Sequence, residues 1–318
     1  MVKITRGSVL GRCLAIVAAV GLLVLPAAGA AQAVSPPTPV SSPRGDLRPV
    51  QQWYVSLGDS YAVGYQPTFT TGKYGFVYQT VPLARARGYN FKVAQFGCGG
   101  ATTESLLGKI GCKIDPARPF DVPDFHPYPT TTQIAAATSF IRAHRGHIGL
   151  ITVSIGGNDV TACAKSANPI PCIAAATARI RTDVTRITKQ LRAAAGPGVL
   201  IVGTTYPDVV LGQWVNPGGA SGRALANLSL VGFKTFINPA LKAAYASGGA
   251  RFVDVTAATG AYGPMSVKQY LAPWGLIPKP VAKVCQLTWY CTRQDIHPHT
   301  AGYSIIAGLV AGQLPRKR

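Results

Sequence analysis

Acidic residues are scarce in this chain. Its 318 residues carry 31 Lys and Arg against 11 Asp and Glu, a formal net charge of +20, and Glu104 is the single glutamate. Such a surface draws anionic partners: phospholipid head groups, acidic wall polymers or nucleic acid. Nucleic acid is excluded because the cations are scattered, with no aromatic-interleaved basic cluster and no helix-turn-helix pattern. Other absences narrow the chemistry. No Gly-x-Ser-x-Gly occurs, so the nucleophile elbow of the α/β-hydrolases is out. No His-Glu-x-x-His and no Gly-x-x-x-x-Gly-Lys-[Ser/Thr] occurs, which excludes the zinc-protease helix and the phosphate loop. No Cys-x-x-Cys or His-x₃-His spacing points to a metal. Apolar runs stay short, and no internal repeat is present.

The longest apolar run, Leu14 to Leu25, follows the basic Lys3, Arg6 and Arg12 and precedes Ala31-Gln32-Ala33. This is the pattern of a secretory signal peptide over residues 1–33, cleaved after Ala33. The run is too short to span a bilayer. Residues 34–49 hold five prolines and read as an extended linker. About 285 residues follow the cleavage point, enough for one large α/β domain, placed here over 50–314. Arg316-Lys317-Arg318 lies in a short basic tail, 315–318. Removing Lys3, Arg6 and Arg12 from +20 leaves +17 on the exported chain. Cys98, Cys112, Cys163, Cys172, Cys285 and Cys291 remain, an even number that reads as disulfides. Six cysteines allow 15 pairings, of which their clustering in three local couples suggests 98–112, 163–172 and 285–291.

Strands and helices alternate. Strand-like runs are Trp53–Leu57, Tyr89–Ala94, Gly149–Ile155, Gly198–Thr204 and Arg251–Val255. Helical runs are Gly75–Arg87, Gln133–His144, Ala174–Ala195, Ala224–Ala246 and Ala301–Gly312, with Ile180, Val184, Ile187 and Leu191 at helical spacing. Five strands alternating with helices indicate a parallel sheet covered on both faces; the expected architecture is a three-layer α/β/α sandwich resembling flavodoxin-like topology.

Four stretches sit where such sheets place reacting groups. Trp53–Leu57 runs into Gly58-Asp59-Ser60, a serine on a turn just past a strand, with a helix expected to follow. Gly97-Cys98-Gly99-Gly100-Ala101-Thr102-Thr103 follows the second strand, and its glycines allow a tight turn that presents backbone N–H groups. Val153 to Asp159 ends the third strand in Gly156-Gly157-Asn158-Asp159. Cys291 to His299 contains Asp295-Ile296-His297-Pro298-His299 just before the last helix. A serine nucleophile needs a base held by a second group. Of five histidines, His126, His144 and His147 lie in a proline-rich loop or at a helix end, which leaves His297 and His299. Taken singly, Ser60 reads as a cap and Asn158 as an Asx-turn residue. The loop Thr205–Gly222, with Tyr206, Trp214 and Val215, reads equally as an acyl-pocket wall or a covered surface loop.

Together, and in this order, the four blocks resemble the SGNH hydrolases, also called GDSL esterases and lipases. The resemblance runs from residue 53 to about 312. It implies that Ser60 is the nucleophile, that His297 is its base, and that Ser60, Gly100 and Asn158 form the oxyanion hole. It implies ester hydrolysis through an acyl-enzyme without metal or cofactor, acting on a lipid or small acyl ester. The cysteine couples look like those of secreted actinobacterial members. One departure stands out: the family places its acid three residues before the histidine, where this chain has Gln294. Either Asp295 or the Gln294 backbone carbonyl then orients His297. Readings left open are a carbohydrate or cell-wall O-acetyl esterase, an acyltransferase, and a non-catalytic basic protein bound to an anionic membrane or wall. Nothing calls for more than a monomer.

Overall fold

The chain from Gln51 to Gly58 forms β1, whose interior residues Tyr54, Val55, Ser56 and Leu57 are all fully buried. A strand dry on both faces belongs in the middle of a parallel sheet. The structure, a computed structural model, describes residues 49–113, 119–166 and 168–317. The leader over 1–33, all but residue 49 of the linker, and Arg318 lie outside the described residues. β1 pairs with β2 (Asn90–Gln95) on one side and β3 (Ile148–Ser154) on the other, followed by β4 (Leu200–Thr204) and β5 (Arg251–Val253). All pairings are parallel, in the order β2-β1-β3-β4-β5. Each strand lies within two residues, at either end, of a run read from the sequence.

The connecting helices are α1 (Phe76–Arg85), α2 (Thr103–Gly108), α3 (Gln133–Ala143), α4 (Gly157–Thr161), α5 (Pro169–Ala195), α6 (Gly219–Val231), α7 (Asn238–Ser247) and α8 (Val255–Ala258). An antiparallel ribbon, β6 (Lys268–Leu271) and β7 (Gly275–Pro278), then leads into α9 (Lys279–Leu287), α10 (Tyr290–Arg293) and α11 (Thr300–Gly312). α1 and α11 cover one face, where Tyr54, Phe91, Leu150 and Val202 meet Tyr303, Ile306 and Val310. α3, α5 and α7 cover the other, where Val55, Leu57, Ile151 and Val153 meet Ile180, Val184, Ile187 and Leu191. Among the described residues no helix is long and apolar enough to cross a membrane.

The single helix read over Ala224–Ala246 is interrupted. α6 passes through a π-helical segment, Gly232–Ile237, before α7. Pro239 at the start of α7 has no N–H for the preceding turn, and the widened turn absorbs the missing bond. The order of the sheet reverses direction between β1 and β3. Their carboxyl ends therefore open a crevice, and Ser60 and Asn158 stand at its two sides.

Candidate active site

Gly58 ends β1 at φ +136, and a Cβ there would lie 2.0 Å from the Ser154 carbonyl oxygen. Only glycine lets β1 and β3 approach this closely at the crevice. Gln133 of α3 clamps the same peptide: the Gly58 N–H donates to Oε1 at 2.7 Å, and Nε2 donates to the Gly58 carbonyl at 3.1 Å. Asp59 turns inward and is buried. Its carboxylate accepts the Tyr61 N–H at 2.9 Å and the Tyr206 hydroxyl at 2.6 Å. Burial pushes the Asp59 carboxyl up to about 7, against the opposing hydrogen bond from Tyr206. Ser60 is thus carried by a turn fixed from below.

The expected helix after Ser60 is absent. One turn forms, with the Val63 N–H donating to the Asp59 carbonyl and Tyr65 to Ser60. It stops at Gly64, whose φ is +75 and where a Cβ would meet the Gly72 and Gly75 backbone. The turn that carries Ser60 is therefore not the first turn of a helix.

His297 reaches Ser60 from the other end of the chain. Its Nε2 lies 2.7 Å from Ser60 Oγ and its Nδ1 lies 2.8 Å from Asp295 Oδ1. The same Asp295 oxygen accepts the His297 backbone N–H at 2.9 Å. Burial pushes the Asp295 carboxyl up, but the hydrogen bonds and charge of His297 outweigh it and hold the group below its ordinary value. Tyr65 packs edge-on against the imidazole at 4.6 Å, and the Tyr61 hydroxyl donates to the Ile296 carbonyl at 2.5 Å. Among the described residues no hydrogen bond joins the Gln294 carbonyl to the ring, whose Nδ1 is taken by Asp295. Gln294 instead takes φ +54 and donates from Nε2 to Asn216 at 2.9 Å. His299 is turned away, with Nδ1 3.1 Å from the Gln286 carbonyl and its ring against Trp289. His126 and His144 belong to an aromatic cluster with Trp53 and Phe140.

Gly100 sits at φ +75 with open space on its Cβ side, in the loop closed by the Cys98–Cys112 disulfide. Among the described residues neither the Ser60 nor the Gly100 backbone N–H meets a protein acceptor. Asn158, in the first turn of α4, spends one Nδ2 hydrogen on the Ala101 carbonyl at 2.9 Å, which ties it to the Gly100 loop and leaves the second hydrogen. Asp159 locks the same junction by accepting the Thr103 N–H at 3.0 Å and the Thr103 hydroxyl at 2.6 Å. A cavity of about 270 Å³ adjoins this loop, lined by Gly99, Gly100, Thr102, Lys109, Tyr128 and Gln133 among others. A shallower depression of about 510 Å³ at Lys189 and Arg192 shares no residue with the site, and its Arg192 is committed to the Gly196, Val199 and Gly249 carbonyls.

The other two local couples, Cys163–Cys172 and Cys285–Cys291, are also bonded. Within Thr205–Gly222, Tyr206 serves the Asp59 carboxyl, while Trp214 and Val215 pack on a third apolar cluster with Leu211, Ile277 and Val281. That loop thus supports the site through Tyr206 and is held on its other side by apolar packing. Gln133, Tyr206, Tyr61 and Tyr65 were missed as site supports, since each lies outside the four blocks or beside a motif residue without a pattern of its own.

The sequence pattern of the GDSL-like lipase/acylhydrolase family matches residues 56–305. No curated protein matches the chain significantly. Among solved structures, an extracellular lipase from Streptomyces rimosus is 19% identical, with 81% of this chain and 99% of that chain covered and a TM-score of 0.44. A lipase from a goat rumen metagenome is 16% identical, with coverage of 83% and 99% and a TM-score of 0.50. Phospholipase A1 from Streptomyces albidoflavus is 18% identical, with coverage of 81% and 99% and a TM-score of 0.44. The family match runs from the end of β1 into α11 and takes in the Ser60 turn, the Gly100 loop, the Asn158 turn and the His297 loop, so the chain belongs to the GDSL-like lipase/acylhydrolase family and is a carboxylic-ester hydrolase.

Proposed function

We propose that the protein is an exported serine esterase or lipase that works through an acyl-enzyme on Ser60. The observation that carries the reading is the continuous relay from Ser60 Oγ to His297 Nε2 at 2.7 Å and from His297 Nδ1 to Asp295 at 2.8 Å. Ser60 Oγ attacks the ester carbonyl carbon while His297 Nε2 takes its proton. The tetrahedral oxyanion is received by the backbone N–H groups of Ser60 and Gly100 and by the remaining Asn158 N–H. His297 then protonates the leaving alcohol, leaving Ser60 acylated. Water, deprotonated by His297, attacks that ester and frees the acid. Asp295 fixes the imidazole tautomer and stabilises the imidazolium. The hydrolase domain is assigned to 50–314. Export is supported by three disulfides, which persist in oxidising compartments, together with the leader pattern over 1–33.

The test is hydrolysis of p-nitrophenyl esters from acetyl to palmitoyl by wild type and Ser60→Ala. We expect turnover in wild type and its loss in Ser60→Ala to the level of the oxyanion hole alone. Activity rising toward the long acyl chains fits a lipase. Turnover of the acetyl ester alone would replace that reading with an O-acetyl esterase. An inactive wild type, or a Ser60→Ala variant with full rate, would overturn the mechanism.

A further inference from the structure

Residues 209–294 hold one acidic side chain, Asp254, against eight cationic ones. Within this stretch the β6–β7 ribbon has two dissimilar faces. Ile277 and Leu271 join the apolar cluster beneath it. Tyr270 and Leu276 stand opposite one another in register on the outward face and are 72% and 69% exposed. A ribbon with one buried face ordinarily carries polar residues on the other; here the outward pair is apolar, with Lys268 beside it. On α6, Leu225, Leu228 and Val231 recur at helical spacing and also stay exposed. Arg223 of α6 and Lys268 of β6 both lie over the Trp214 ring, at 5.6 and 5.3 Å, so a cation from each element converges on one side chain.

Exposed Tyr and Leu among cations, with almost no acids, match the head-group zone of an anionic lipid layer. There aromatic and aliphatic side chains enter the acyl boundary, and Lys and Arg stay with the phosphates. A second copy of the chain is disfavoured because it would set one cationic stretch against another. A wall polyanion would pair the cations but leave Tyr270 and Leu276 in water. We propose that the outer face of the β6–β7 ribbon, with the exposed α6 stripe, docks this enzyme on an anionic phospholipid surface. The inference rests on the ester-hydrolase reading for its purpose, which is to deliver lipid esters to Ser60. The elements involved are mechanically one with the site. The ribbon continues into α9, Cys285–Cys291 braces the turn into α10, and Asn216 ahead of α6 bonds both the Cys291 carbonyl and the Gln294 side chain.

The experiment is co-sedimentation of the exported protein carrying Ser60→Ala, which cannot consume the vesicles. Vesicles of phosphatidylglycerol mixed with phosphatidylcholine are compared with phosphatidylcholine alone. Binding is expected on the anionic vesicles and should weaken as added salt shortens the screening length. Adding Tyr270→Ser with Leu276→Ser should reduce partitioning roughly tenfold. Lys268→Gln should reduce it about fivefold. In the Ser60 background the ribbon variants should hydrolyse soluble p-nitrophenyl acetate at the wild-type rate, which establishes that they fold. The proposal fails if anionic vesicles do not sediment the protein, if the double variant binds as well as its parent, or if the protein is retained by acidic wall polymer and not by vesicles. Loss of soluble-ester turnover in the unmutated protein would sink the hydrolase reading and leave the vesicle result standing, so the two failures are distinguishable.

Discussion

Asp295 lies two positions before His297 and still reaches its ring. One carboxylate oxygen accepts both the backbone N–H and the Nδ1–H of His297, a local Asx-type closure. The left-handed Gln294 turns the chain out of α10 and sets Asp295 at the needed angle. That rotation depends on one backbone dihedral, so the choice between the Asp295 side chain and the Gln294 carbonyl could not be read from spacing. Ser60 and His297 were legible because each follows a strand or precedes a helix inside a recognisable block. The Asp59–Tyr206 and Gly58–Gln133 contacts were not, because they join residues far apart in the chain. For Asp295→Asn we expect kcat to fall on the order of 10²–10⁴-fold with KM little changed, because the amide no longer stabilises the imidazolium. Steady-state kinetics on a soluble ester checks it, and a variant that keeps most of its kcat would return the role to another group.

At the scale of elements, β1, β3 and β4 were legible because burial on both faces makes most of each an apolar run, and β2 and β5 because they alternate with helical stretches, whereas β6, β7 and α9 were not. Lys268–Leu271 and Gly275–Pro278 are four residues each, too short for periodicity, and become strands only by pairing with each other over an apolar cluster. The disulfides act on loops, not on the sheet. Cys98–Cys112 closes the segment that carries Gly100, the proposed oxyanion donor. Removing it as Cys98→Ser with Cys112→Ser should cost about 2–3 kcal/mol through greater freedom of the unfolded chain. Well below the unfolding transition, kcat should also fall about tenfold, since a displaced donor stabilises the oxyanion less. Urea unfolding gives the first quantity and ester turnover the second. Full turnover in the folded variant would reduce the bridge to a staple.

For the molecule as a whole, the few acids are placed where water is absent as well as where it is present. Asp208 is fully buried in the turn after β4, and burial raises its carboxyl from 3.8 to about 7, against the opposing hydrogen bond from Ser229. Asp59 is raised to about 7 by the same cause. Since both folded values lie above those of the unfolded chain, folding takes up protons, and stability is lost as pH rises from about 4 to about 7. Asp295 works in the opposite sense: its folded value lies below the ordinary one, so its contribution is present above that ordinary value and lost as the pH falls further. A cationic protein of this kind should therefore be most stable in mild acid, although its net charge there is even higher and self-repulsion opposes folding. Asp208→Asn removes one of the two raised carboxyls while keeping an oxygen for the Ser229 hydroxyl, which donates at 2.9 Å. Its urea midpoint should decline less steeply with pH than the wild-type midpoint, each unit of abolished shift being worth about 1.4 kcal/mol. Parallel curves for the two proteins would mean that Asp208 is ionised in the folded state and that the pH dependence arises elsewhere.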